Sequence, residues 1–91
     1  MNDDADHDSL LKFPCDFPIK IMGTHSADFV HSMVGIVQRH APDFAADSVE
    51  IRASRGGKYL AVTCTFRAVS RDQLDKLYRE LSAHPLVKIA L

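Results

Sequence analysis

The chain has 91 residues, 46% apolar and 25% charged, with a formal charge of −1. That length makes one domain of ordinary globular composition, and no apolar run approaches the roughly 20 residues that a membrane helix needs. The charge is uneven: residues 1–9 carry four aspartates and no lysine or arginine, which leaves 11 basic and 8 acidic side chains in residues 10–91, far short of the dense basic stripe of a duplex nucleic-acid binder.

The first nine residues hold too little apolar area to offset the entropy of ordering them, so a disordered acidic tail is expected there and a single domain over 10–91. A secretion signal would need a basic stretch followed by an apolar one, and the start has neither. Cys15 and Cys64 form no short metal-binding spacing. A cytoplasmic protein without metal or cofactor is the expectation; spacing alone leaves a Cys15–Cys64 disulfide open.

Between Leu10 and Pro18, large apolar residues interleave with two prolines, each biasing its predecessor away from helix. This predicts an extended lead-in pinned by Leu10, Leu11, Phe13 and Phe17. Phe17, Ile19 and Ile21 then alternate with Lys20 and Met22 in a first strand that Gly23 ends. Ser26 is placed to cap a helix running to about His40, with Phe29, Val30, Met33, Val34 and Val37 as its apolar stripe. Gly35 falls opposite that stripe, where glycine costs about 1 kcal/mol relative to alanine. That cost marks Gly35 as a candidate point of close approach for a second chain.

Val49, Ile51 and Ala53 alternate with Glu50 and Arg52 in a second strand. Arg55–Gly56–Gly57–Lys58 follows, then a third strand with Leu60, Val62, Cys64 and Phe66 inward and Tyr59, Ala61, Thr63, Thr65 and Arg67 outward. Ser70 and Gln73 form a capping-box pair ahead of Leu74, Leu77, Tyr78 and Leu81. Asp72–Lys76, Asp75–Arg79 and Lys76–Glu80 are spaced as i,i+4 ion pairs, and Pro85 ends the helix. Val87, Ile89 and Leu91 alternate in a fourth strand. Single-sided strands and helices in the order βαββαβ predict an α+β, ferredoxin-like fold: a four-stranded antiparallel sheet with both helices on one face, strands one and three central.

The stretch SRGGKYLAVTCTFRA admits three readings. A phosphate loop feeds a helix N-terminus, whereas this glycine pair feeds a strand. An RNA-recognition strand stacks bases on several outward aromatics, and here Tyr59 is alone. Glycine at positive φ in a hairpin turn accounts for the pair. The five histidines are scattered, with no H-x-x-x-H or H-E-x-x-H among them, and no GxSxG surrounds Ser26 or Ser70. What remains is the uncovered sheet face, with Lys20, Arg52, Arg67, Lys88 and Tyr59 against Glu50, a candidate surface for a small anion.

FPCDFPIKIMG, VQRHAP, SRGGKYLAVTCTF and LDKLYRELSAHPLVKIAL together resemble the YbeD-like family of small bacterial proteins from about Leu10 to Leu91. The resemblance implies an ACT-like, non-catalytic regulatory module linked to lipoate. It supplies no catalytic residue. Structurally it places Phe13–Pro14 in the lead-in, Gly23 after strand one, Gly57 and Tyr59 at the hairpin and Tyr78 on the second helix. The expected partners are a small acidic metabolite or a protein, and a second copy in a homodimer; nucleic acid and membrane are not expected. The alternative is a single-stranded RNA binder using Tyr59, Lys20 and Arg67.

Overall fold

The structure, a computed structural model, describes residues 12–91. The acidic segment 1–9 and the anchors Leu10 and Leu11 lie outside the described residues. The elements are β1 (Cys15–Thr24), α1 (Ala27–His40), a 3-10 turn (Ala46–Ser48), β2 (Glu50–Ala53), β3 (Tyr59–Ala68), α2 (Arg71–Ala83) and β4 (Val87–Ala90). The sheet order is β2-β3-β1-β4 with every neighbour antiparallel, the ferredoxin-like arrangement. β1 and β3 pair without interruption from Cys15↔Ala68 to Thr24↔Tyr59. Their shared inner face supplies Ile19, Ile21, Val62, Cys64 and Phe66, all buried, to a core completed by Phe29, Met33, Ile36 and Val37 of α1 and Leu74, Leu77 and Leu81 of α2.

β1 begins earlier and ends later than its alternation implied. Cys15, Asp16 and Phe17 of the lead-in already pair with β3, and Phe17 packs edge-on against Tyr78 at 6.4 Å and beside Phe66 at 5.8 Å. Pro18 is tolerated for a geometric reason. Lys20 exchanges both backbone hydrogen bonds with Leu91, at 3.2 and 2.8 Å, so even-numbered residues of β1 turn their backbone groups toward β4. The nitrogen of Pro18 therefore faces the flank beyond the last β1–β4 pair, where no ladder bond is lost. Gly23 does not end the strand but is buried within it. A Cβ there would run into the Leu86 carbonyl oxygen and the Phe29 ring. Glycine thus lets α1 seat Phe29 directly on the sheet.

Ser26 and Ser70 cap their helices, accepting from the Phe29 and Gln73 N–H groups at 3.1 Å each. Gln73 does more than close a capping box. Its carbonyl accepts from Val69 N–H at 2.7 Å, and its amide donates to the His40 carbonyl at 2.8 Å, tying the start of α2 to the end of α1. Of the expected i,i+4 pairs, Asp72–Lys76 forms at 3.0 Å. Glu80 instead turns across to α1, where it pairs with Arg39 and accepts from His40 Nε2 at 2.8 Å. The carboxylate can only accept, so His40 carries its proton on Nε2. Phe44, in the loop after α1, is a core residue that no periodicity announced; it is 5% exposed.

Two edges depart from expectation. Ile51 lies opposite Val62 and shares its face, yet it is 51% exposed, because neither helix extends over β2. In β4 the alternation of Val87, Ile89 and Leu91 is broken. Met22 pairs with Ile89 but Gly23 with Val87, so Lys88 is the extra residue of a β-bulge. Val87 and Ala90 pack against the core. Ile89 and Leu91, opposite Met22 and Lys20, belong to the open face. The two cysteines are free; they pair with Ala68 and Ile19, well separated along the sheet.

Three stability outcomes follow. In urea denaturation Gly23→Ala loses about 3 kcal/mol, because backbone and a core ring must both move. Gly35→Ala gains about 0.5–1 kcal/mol, since nothing lies within 4 Å of the added methyl. Burial first, then the charges of Arg39 and Lys76, hold the His40 pKa below its ordinary value of 6.5, outweighing a Glu80 carboxylate already shared with Arg39. The unfolded chain therefore takes up this proton first as pH falls below 6.5. His40 contributes fully above that pH and progressively less below it, so the stability–pH slope on the acid side flattens in His40→Gln.

Candidate functional site

The uncovered face of the sheet is built in rows by the strand registers. One row runs Leu91, Lys20, Thr63, Glu50; the next runs Ile89, Met22, Ala61, Arg52; Thr24 and Tyr59 form the third. Alternation on β1, β2 and β3 explains the outward set of each strand. The β4 bulge adds Ile89 and Leu91, which are 46% and 64% exposed. The face is therefore not simply a solvated charged surface. Met22, Ala61 and Tyr59 are half-buried and continue into two exposed aliphatic side chains, with cations at the border.

Two shallow depressions of about 230 and 210 Å³ open on this face, sharing Lys20, Arg52 and Ala61. One adds Glu50 and Thr63, the other Met22 and Tyr59. Each is smaller than the roughly 300 Å³ at which pockets for drug-sized molecules begin. A small headgroup fits such a hollow; an enclosed substrate does not. Lys20, Arg52 and Glu50 are exposed and make no ion pair among the described residues. Lys58 stands 6.0 Å from the Tyr59 ring centroid, a cation–π distance. The hairpin holding Tyr59 is fixed at its tip. Gly56 and Gly57 have φ of +87° and +74°, Gly57 N–H donates to the Ser54 carbonyl at 2.8 Å, and His25 Nδ1 donates to the Gly57 carbonyl at 2.5 Å. The paired glycines are thus a turn feeding a strand.

The structure brings together three of the residues expected on this face, Lys20, Arg52 and Tyr59. Arg67 is not among them. It lies opposite Asp16, ion-paired at 3.4 Å, and the span from Tyr59 to Arg67 along β3 is about 26 Å. Lys88 occupies the bulge and has no register partner on β1. Gly35 is half-buried in a groove between the helices, beside His31, Ser32, Arg39, Glu80 and His84. Sequence reading missed Met22, Ile89 and Leu91 as a joint apolar element. Met22 was legible as outward; the other two were hidden by the bulge.

The buried Cys64 thiol is pushed up to about 11 by desolvation, which leaves almost no thiolate at neutral pH and makes it a packing residue. Among the described residues no group of three or more His, Cys, Asp or Glu side chains is placed to hold a metal ion, and no helix is long and apolar enough to cross a membrane.

Residues 8–91 match the family described as protein of unknown function (DUF493). A UPF0250 protein of Leptothrix cholodnii is 54% identical over 91 residues, spanning all of both chains. UPF0250 protein NE1487 of Nitrosomonas europaea is 51% identical over 84 residues, 92% of this chain and 97% of its own. These relatives agree with the YbeD-like resemblance of the motifs. The solution structure of HP0495 from H. pylori superposes with a TM-score of 0.66 at 14% identity, covering 89% of this chain and 85% of that one. The ACT domain from GTP pyrophosphokinase of Chlorobium tepidum does so at 0.56 and 17%, covering 85% and 97%. At such identities the likeness is one of fold.

Proposed function

This chain belongs to the DUF493 family, and on that premise we propose that it is a cytoplasmic, non-catalytic regulatory module that binds a small carboxylate with an apolar tail. Lipoate or a lipoyl group has that chemistry, and it is the ligand the family resemblance implied. One observation carries the reading. On the open face Lys20 and Arg52 border a half-buried floor of Met22, Ala61 and Tyr59, which continues to the exposed Ile89 and Leu91. A carboxylate placed at the cations makes charge-assisted hydrogen bonds. Its tail, laid over the aliphatic strip, takes apolar surface out of water at about 25 cal/mol per Å². Glu50 sets the polarity of the site, repelling an anion that approaches from the β2 side.

An RNA strand needs several stacking platforms at about 1–3 kcal/mol per base, and this face offers Tyr59 alone beside only two of its cations, with Arg67 engaged by Asp16.

Titration calorimetry of the protein with octanoate, lipoate and a lipoylated peptide tests the reading. Heat is expected with the lipoyl ligand, with an affinity about tenfold weaker in Lys20→Gln and in Met22→Ser, and none with mixed single-stranded oligonucleotides. Absence of heat with all three ligands, or equal affinity in both variants, defeats it.

A further inference from the structure

The two edges of the sheet are protected unequally. Both edge strands are four residues long, but β4 is bulged and carries Lys88 at the bulge, devices that blunt an edge. β2, with the sequence EIRA, has neither bulge, proline nor lysine. Ser54 turns its N–H inward to the Tyr59 carbonyl, so the backbone groups of Glu50 and Arg52 point the same way, at β3. Those of Ile51 and Ala53 point out of the sheet, unpaired among the described residues. Ile51, 51% exposed, is a large hydrophobe at this edge.

We infer that two copies of this chain join through β2, antiparallel, about a two-fold axis at Ile51. The register is set by charge. With Ile51 opposite Ile51 of the second copy, Glu50 faces Arg52 of the second copy, and Arg52 faces its Glu50. Both pairs lie on the open face, while the isoleucines meet on the helix side. Centring on Arg52 opposes two arginines, and centring on Glu50 opposes two glutamates, which is unfavourable. Of these three registers only the Ile51 one presents outward-pointing backbone groups to each other, so that Ile51 exchanges both hydrogen bonds with its copy; a register centred on Ala53 would also do so but leaves Glu50 and Arg52 without their charge partners. The interface is isologous and closed, and it continues the sheet across both copies. It does not depend on the ligand reading and is measured in ligand-free protein.

Sedimentation equilibrium of the full chain is the test. The wild type is expected to dimerise. Glu50→Arg or Arg52→Glu alone sets like charges face to face and weakens the dimer by about tenfold or more, while the double variant Glu50→Arg/Arg52→Glu restores both pairs and the dimer. Circular dichroism verifies that each variant stays folded, as these exposed positions allow. A wild type that remains monomeric at roughly millimolar concentration, a dimer indifferent to the single variants, or one that the double variant fails to restore overturns the inference.

Discussion

The β1–β3 ladder is the constraint on which everything else rests. Ten consecutive residues of each strand are in register, and strand geometry then divides their side chains between two faces with no freedom left. One face takes Ile19, Ile21, Val62, Cys64 and Phe66 into the core; the other takes Lys20, Met22, Ala61, Thr63 and Tyr59 to the surface. Two amphipathic helices, each with one apolar stripe, cover one face only. The second face is therefore open by the economy of the sequence, which contains no third covering element among the described residues. A one-residue slip of either strand would turn its core side chains, Ile19 and Ile21 of β1 or Val62, Cys64 and Phe66 of β3, to the open face, so the ladder also fixes what the candidate site is made of.

The covering layer is held close by small adjustments at its contacts. Gly23 lets the Phe29 ring touch the sheet. Gln73 connects the two helices through backbone groups, and Glu80 leaves its own helix to join Arg39 and His40. None of these bonds is strong by itself, since exposed ion pairs contribute at most about 1 kcal/mol. Their effect is positional. They keep α1 and α2 together over β3, β1 and β4, and so leave β2 without a roof. The exposure of Ile51 is thus a consequence of where the helices sit. The same geometry links the ligand reading and the assembly reading, because Glu50 and Arg52 lie at the free edge and beside the shallow depressions at once.

Several chemically capable side chains of this protein have structural roles. The buried Cys64 thiol is held protonated, Ser26 and Ser70 are engaged as helix caps, and three histidines serve contacts: His25 at the hairpin tip, His40 between the helices, and His84 accepting from Leu86 N–H at 3.1 Å. Lys20 and Arg52 stand beside an apolar strip and make no ion pair within the described residues of one chain, the arrangement on which the ligand reading rests.

Most of the architecture was legible in the chain because it is written in local periods. Alternation marks β1 and β3, the 3.6-residue stripe and serine caps mark both helices, and the glycine pair marks the hairpin; these signals need no knowledge of distant residues. Lys20, Arg52 and Tyr59 were legible as outward for the same reason. What the periods do not encode is which neighbour a strand meets and how far a covering helix reaches. The bulge that turns Ile89 and Leu91 outward arises only in the pairing of β4 with β1. The engagement of Arg67 depends on Asp16 coming opposite it across the sheet, and the exposure of Ile51 on helices positioned elsewhere. Phe44 enters the core from a loop with no period at all. The sequence alone thus determined the elements and the inner and outer faces of the long strands, through spacing along the chain. Tertiary structure decided the composition of the open face, because contacts between residues far apart in sequence are set by packing and not by spacing.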